Sequence, residues 1–137
     1  MKDEYTIGQL AKNSGVTVET VRFYVQKGLI KQPTPKSGYR KYSFDDIIKI
    51  KFIKRAQYLG FTLNEAKELL ELRVNNRARC GQVKVKAEQK LDEVEKRIKD
   101  LNIMKRSLKK MINSCSNDEK FVTECPILEC FEKDKRC

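Results

Sequence analysis

The chain carries five cysteines, Cys80, Cys115, Cys125, Cys130 and Cys137, and no histidine. Without imidazole the commonest general base and the commonest nitrogen ligand are both missing, so a tight metal site must rest on sulfur. No apolar run approaches the ~18 residues of a membrane span, and no signal peptide opens the sequence. A cytoplasmic protein with no membrane partner is therefore expected. In that reducing compartment thiols act as metal ligands or redox sensors more readily than as structural disulfides. The sequence offers no cofactor-type glycine loop and no plausible catalytic pair, so an enzyme is not expected.

Two of the thiols bracket one long stretch. Between Cys80 and Cys115 there is no proline, and the only glycine, Gly81, sits at the edge. Ala87, Leu91, Val94, Ile98, Leu101, Leu108 and Ile112 recur at spacings of three and four, with a polar break at Lys105 beside Met104. That is a coiled-coil seam. With about 1.5 Å of rise per residue, a helix joining the two cysteines holds them roughly 50 Å apart. They cannot meet within one chain. They can meet across an antiparallel pair, where the start of one helix lies beside the end of the other, so the spacing predicts a homodimer.

The formal charge of +11 is unevenly placed, with 12 Lys/Arg against 5 Asp/Glu in residues 1–60 and 18 against 14 in the rest. An excess in the first half suits an anionic polymer. There, Thr6 can cap a helix over Ile7–Asn13, Ser14-Gly15 makes a turn, and Thr17 can cap a second helix to about Gln26. This is the pattern of a helix-turn-helix. The second helix presents Thr17, Glu19, Thr20, Arg22 and Tyr24, a set suited to the major groove, with Arg reading guanine and Tyr reaching phosphate. Pro33 to Tyr42 is rich in turn formers, and its Lys36, Tyr39, Arg40 and Tyr42 suit a wing laid on the sugar-phosphate backbone.

Ser43 with Asp46 opens a helix whose stripe is Ile47, Ile50, Ile53, Ala56 and Leu59, ending at Gly60. Thr62 with Glu65 is a full capping box for a further helix carrying Ala66, Leu69, Leu70 and Leu72. Arg73 to Arg79 reads as a polar hinge before the long helix. After Cys115 the chain is loop-like to Glu124. Cys125-Pro126 then starts a short helix whose Ile127, Leu128 and Phe131 could dock on the spine.

Four stretches together resemble the MerR-type transcription regulators: Tyr5-Thr-Ile-Gly-Gln-Leu-Ala11; Thr20-Val-Arg-Phe-Tyr24 followed by Gly28-Leu-Ile30; Gly38-Tyr-Arg-Lys-Tyr42; and Leu59-Gly-Phe-Thr-Leu63 with Glu65. Val25 departs from the pattern, where the family usually carries a glutamate. The resemblance implies a mainly α fold. It comprises a winged helix-turn-helix DNA-binding domain with connecting helices (1–75), a long antiparallel coiled-coil dimerisation helix (80–114), and a short metal-binding loop, helix and tail (115–137). It further implies an effector site at each end of the coil.

The cysteine pattern is most similar to the mercury-responsive branch, in which one cysteine begins the dimer helix and two flank the following loop, as Cys80, Cys115 and Cys125 do. Cys80 of one subunit with Cys115 and Cys125 of the other would then bind one soft cation. Three thiolates suit Hg(II), and Cd(II), Pb(II) or Zn(II) are the alternatives. By the same resemblance the dimer binds promoter DNA and, on taking metal, distorts it so that RNA polymerase can use it. Cys130 could be an accessory ligand or a surface thiol, and Cys137 reads as a surface thiol. A thiol redox sensor on the same scaffold and a cytosolic metal-buffering protein are the rival readings.

Overall fold

The computed structural model describes residues 4–33, 41–116 and 118–133 of the 137. Within them the chain is mainly α, and no strand longer than a single bridge forms. The order is α1 (Ile7–Ser14), α2 (Val18–Gln26), α3 (Phe44–Tyr58), α4 (Leu63–Arg73), α5 (Cys80–Ser114), a 3-10 turn at Val122–Glu124, and α6 (Pro126–Glu132). It divides into two compact units, Met1–Ala87 and Glu88–Cys137.

In the first unit every helix start is locally specified. Thr6, Ser43 and Thr62 each accept from the backbone N–H three residues on, and Gln9, Asp46 and Glu65 reciprocate. Each box satisfies two of the donors that a helix N-terminus leaves open. Asp46 fills its box despite being shorter than the usual Glu: its carboxylate accepts from Ser43 N–H at 2.9 Å. The stops are left-handed glycines, Gly15 at φ 71°, Gly28 at 77° and Gly60 at 95°. A side chain would strain each of these positions.

α1 packs on α2 and α3, and α3 on α4. The core they enclose is small: Leu10, Val21, Ile30, Ile50 and Ile53 are fully buried, with Tyr24, Tyr42, Ile47, Ala56, Ala66 and Leu70 around them. Four of the five residues in the expected α3 stripe are interior. Leu59 is not; it is half exposed, because α3 ends at Tyr58 and the chain turns away through Gly60. One tie was not foreseen: Tyr5 and Tyr42 pair as an antiparallel bridge with both N–H···O bonds at 2.8 Å. It fastens the start of the chain to the end of the loop that precedes α3.

The polar hinge is an ordered connection. Asn75 Oδ1 accepts from Arg77 N–H at 2.9 Å, and Gln82 Oε1 accepts from Arg79 N–H at 2.7 Å at the start of α5. Lys86 on α5 pairs with Glu68 on α4 at 2.7 Å. That ion pair lies within the first unit and ties the first turns of α5 to α4.

The second unit takes up α5 from Glu88, and its apolar seam is unpartnered in the single chain. Leu91, Ile98, Leu101, Leu108 and Ile112 are 52–65% exposed, whereas Lys90 and Met111 are the helix's buried residues. The Lys90 ammonium is neutralised by Glu93 at 2.7 Å. In α6, Pro126 occupies the first helical position, where its missing N–H costs nothing, and Cys125 is the N-cap. Leu128 and Phe131 are 43% and 68% exposed, whereas Pro126, Ile127 and Cys130 are half-buried.

Arg73 at the end of α4 donates to Asp45 Oδ1 at 3.0 Å near the start of α3. This hydrogen bond, with the charges of Arg73 and Lys49, holds the Asp45 carboxyl below the usual range against a smaller opposing effect of burial. A depressed carboxyl contributes stability that is present above its unfolded pKa of about 4 and is lost as pH falls through the folded value. Because half of the side chain is in solvent, the contribution is under about 1 kcal/mol. Asp45→Asn should therefore lower stability slightly at pH 7 and leave it unchanged near pH 2, as read from urea unfolding at fixed protein concentration.

Candidate nucleic-acid interface and metal-ligating thiols

α2 begins on a cap made by Thr17, whose hydroxyl accepts from Thr20 N–H at 3.1 Å and lies 2.9 Å from the Thr20 hydroxyl. Both threonines thus spend hydrogen-bonding capacity on the helix itself. Glu19 and Arg22 are exposed and make no ion pair among the described residues. The first turns of α2 therefore offer an exposed Arg fork and an exposed carboxylate beside the two capping hydroxyls.

Tyr24 is placed differently. Its ring is only 5% exposed, and its hydroxyl donates to Gln57 Oε1 of α3 at 3.3 Å. Burial raises its pKa. The residue lies three positions after Val21 and so shares its core-facing side, which makes it first a packing element of the head. Tyr42 is similarly interior, 3% exposed and bridged to Tyr5. The remaining wing residues named above, Lys36, Tyr39 and Arg40, lie outside the described residues. Gln57 was not singled out by the sequence: one glutamine on a basic helix carries no signal until its tyrosine partner is in place.

The thiols occupy the ends of helices. Cys80 is the first residue of α5 and is exposed. Cys115 directly follows α5, is half-buried, and donates its N–H to Ile112 O at 3.2 Å. Cys125 is half-buried at the N-cap of α6, its carbonyl accepting from Glu129 N–H at 3.1 Å. All three are reduced, whereas Cys130 is disulfide-bonded, which sets it apart from them. Cys137 lies outside the described residues. Among the described residues no three Cys, Asp or Glu side chains converge on a metal-sized point in the single chain. The donor set still fits a soft cation: three reduced sulfurs on helix ends, with no competing imidazole.

Two family models match along the chain: the MerR HTH family regulatory protein over residues 5–72, and the MerR DNA-binding region over 47–111. The mercuric resistance operon regulatory protein of Shigella flexneri is 39% identical over 127 residues, which are 92% of this chain and 86% of that one. The chain belongs to the MerR HTH family. As a member it is a DNA-binding transcription regulator, and its matched region contains α1 to α4 and most of α5. Two solved structures of the family share its fold. The regulator PbrR691 of Ralstonia metallidurans CH34, in complex with lead(II), superposes with a TM-score of 0.82 at 32% identity, covering 93% of this chain and 98% of its own. The regulator MerR of Bacillus megaterium MB1, in complex with mercury(II), gives 0.74 at 32%, covering 94% and 100%.

Arg22 is exposed on α2, and an arginine there could read a base only by a direct contact in the major groove. A bidentate Arg–guanine contact contributes about 1–3 kcal/mol of discrimination, or roughly 5- to 150-fold. Arg22→Ala should weaken binding to the protein's upstream DNA within that range in a gel-shift titration at fixed salt. Tyr24→Phe, which keeps the buried ring, should change the affinity far less.

Proposed function

We propose that this protein is a homodimeric, cytoplasmic transcription regulator that responds to Hg(II). Cys80 of one subunit and Cys115 and Cys125 of the other would supply three thiolates to the ion. The observation that carries the reading is α5 itself. It runs unbroken from Cys80 to Ser114, its apolar seam is solvent-exposed in one chain, and thiols stand at both of its ends. At about 1.5 Å per residue such a helix keeps its end thiols roughly 50 Å apart, so a site using both is completed by a second copy. Burying a half-exposed Leu or Ile of the seam contributes on the order of 1 kcal/mol per residue, which supports an antiparallel pairing of two α5 helices.

The mechanism follows from linkage. Two heads, each presenting α2, would occupy successive major grooves of a near-palindromic operator. The wing, with Lys36, Tyr39, Arg40 and Tyr42, would hold the backbone. The metal shifts the dimer toward an activating form only by binding that form more tightly. Moving the equilibrium from mostly off to mostly on takes about a ten-thousand-fold difference in affinity. The activated dimer would distort promoter DNA so that RNA polymerase can use it. α4 and the ordered connection at Asn75–Gln82 join the reading head to Cys80, which makes them the route for the change. The three-part division into head (1–75), dimer helix (80–114) and metal-binding segment (115–137) belongs to this reading.

Similar structures carry lead(II) in one case and mercury(II) in the other, so other soft ions on the same thiols are the second reading. Pb(II), Cd(II) and Zn(II) are the alternatives, although zinc more often takes a fourth ligand. Titrating the purified protein with each ion against a competing thiol separates them. Hg(II) binding no tighter than Pb(II) or Zn(II) would sink the mercury assignment. Cys115→Ser should abolish induction of a reporter by metal while leaving operator affinity within a few-fold, and normal induction of that variant would refute the thiolate site. A thiol redox sensor would instead show disulfide formation among Cys80, Cys115 and Cys125 on peroxide treatment and no retained metal by mass spectrometry.

A further inference from the structure

α4 is held in the head by its buried residues, Ala66 and Leu70, and beyond Leu70 it runs out of core. From Glu71 to Cys80 only Leu72 and Ala78 are half-buried; the rest are exposed. The side-chain bonds of the connection are local, Arg77 N–H to Asn75 and Arg79 N–H to Gln82. Among the described residues one side-chain bond ties the stretch from Arg73 to Cys80 back to another helix. It is the hydrogen-bonded ion pair between Arg73 and Asp45 Oδ1, at 3.0 Å. Asp45 is the second residue of α3 and lies three positions after Tyr42, whose bridge to Tyr5 fastens the end of the loop before that helix. The pair therefore joins the end of the loop assigned to the wing to the end of α4, seven residues before Cys80.

The carboxylate also has an alternative partner. Lys49, one turn along α3, places its ammonium 3.6 Å from Asp45 Oδ2. Arg73 is the stronger influence on the Asp45 carboxyl and Lys49 the weaker. When Arg73 leaves, Lys49 can close on a charge that is half in solvent, so the exchange strands no buried ion. Two discrete pairings of similar energy are what a coupling element requires, and a packed apolar contact would not supply them.

We infer that the Asp45–Arg73 pair is the positioning contact that couples occupancy of Cys80 to the setting of the head. An ion drawn between Cys80 and thiols of a second subunit loads the connection, and the first side-chain tie to the head that this load meets is Arg73–Asp45. Paired with Arg73, Asp45 holds the repressing setting. With Arg73 withdrawn and Asp45 closed on Lys49, the head takes the activating one. The inference rests on the metal-responsive reading proposed above and adds the residues that carry its signal.

The test is transcription in vitro by RNA polymerase from the protein's own upstream DNA, using the full-length protein and titrations of Hg(II) and, in parallel, Pb(II). A half-exposed pair separates two settings by at most about fivefold, so the two pairs of a dimer separate them by at most about 25-fold. Asp45→Asn and Arg73→Gln should each raise metal-free transcription by about three- to twenty-fold. Each should also bring half-induction to a lower metal concentration, with operator affinity kept within a few-fold. The double variant should do no more than either single one, and Arg73→Lys should keep most of the parent response. Lys49→Gln, which removes the alternative partner, should move half-induction the other way, to a higher metal concentration. A general loss of stability would shift all of these variants in the same direction. Unchanged metal-free transcription in Asp45→Asn and Arg73→Gln would overturn the proposal, and so would a Lys49→Gln shift in the same direction as theirs. A parent protein that responds to metal while both variants match it removes the pair and leaves the metal reading standing. A parent protein that binds its DNA but responds to neither ion removes the metal reading and the proposal together.

Discussion

The length of α5 is the constraint on which the rest of the chain depends. A helix of 35 residues is too rigid to fold its ends together, and this one contains no proline to kink it. Its seam has no partner within one chain, since Leu91, Ile98, Leu101, Leu108 and Ile112 all face solvent. A long amphipathic helix in that state is stable only when another surface covers its apolar stripe. In the proposed dimer, dimerisation and thiol clustering would have a single cause. An antiparallel pairing that covers the stripe would also bring the sulfur of one helix start to the sulfurs of another helix end.

The head shows the opposite economy. Its core is closed by short helices whose starts are fixed within four residues by Thr6, Ser43 and Thr62 and whose ends turn on Gly15, Gly28 and Gly60. Such a unit needs little from the rest of the chain. Its links to α5 include the polar Glu68–Lys86 pair and the hydrogen-bonded connection at Asn75–Gln82. A polar connection can be re-formed in more than one arrangement at low cost, whereas a packed apolar junction cannot. A regulator needs that property between a reading head and a sensor.

What could be read from the sequence was what is decided locally. Capping boxes, glycine stops and the Cys125-Pro126 helix start depend on neighbours within four residues, so α2, α4, α5 and α6 fall where those signals put them. Tyr24 and Tyr42 were less legible, because an amphipathic ring is equally at home against a core or against a phosphate. Only the tertiary partners decide, Gln57 for one and Tyr5 for the other. For the α6 residues Leu128 and Phe131 the sequence shows that they are apolar but not which surface covers them.

The thiols illustrate the same boundary from the other side. Their chemical type and their spacing were visible at once, yet no single-chain structure can bring them together, because the helix between them forbids it. For a site completed by symmetry, the informative observations in one protomer are indirect: reduced cysteines at helix ends, and an apolar face left open along the whole distance between them. The choice of ion is further removed still. Three sulfurs exclude hard cations such as magnesium and calcium, but they discriminate among soft ions only through the angles and distances that the paired helices impose. The rigidity of α5 would therefore act twice, once in requiring a second subunit and again in setting how far its sulfurs can yield to the ion they receive.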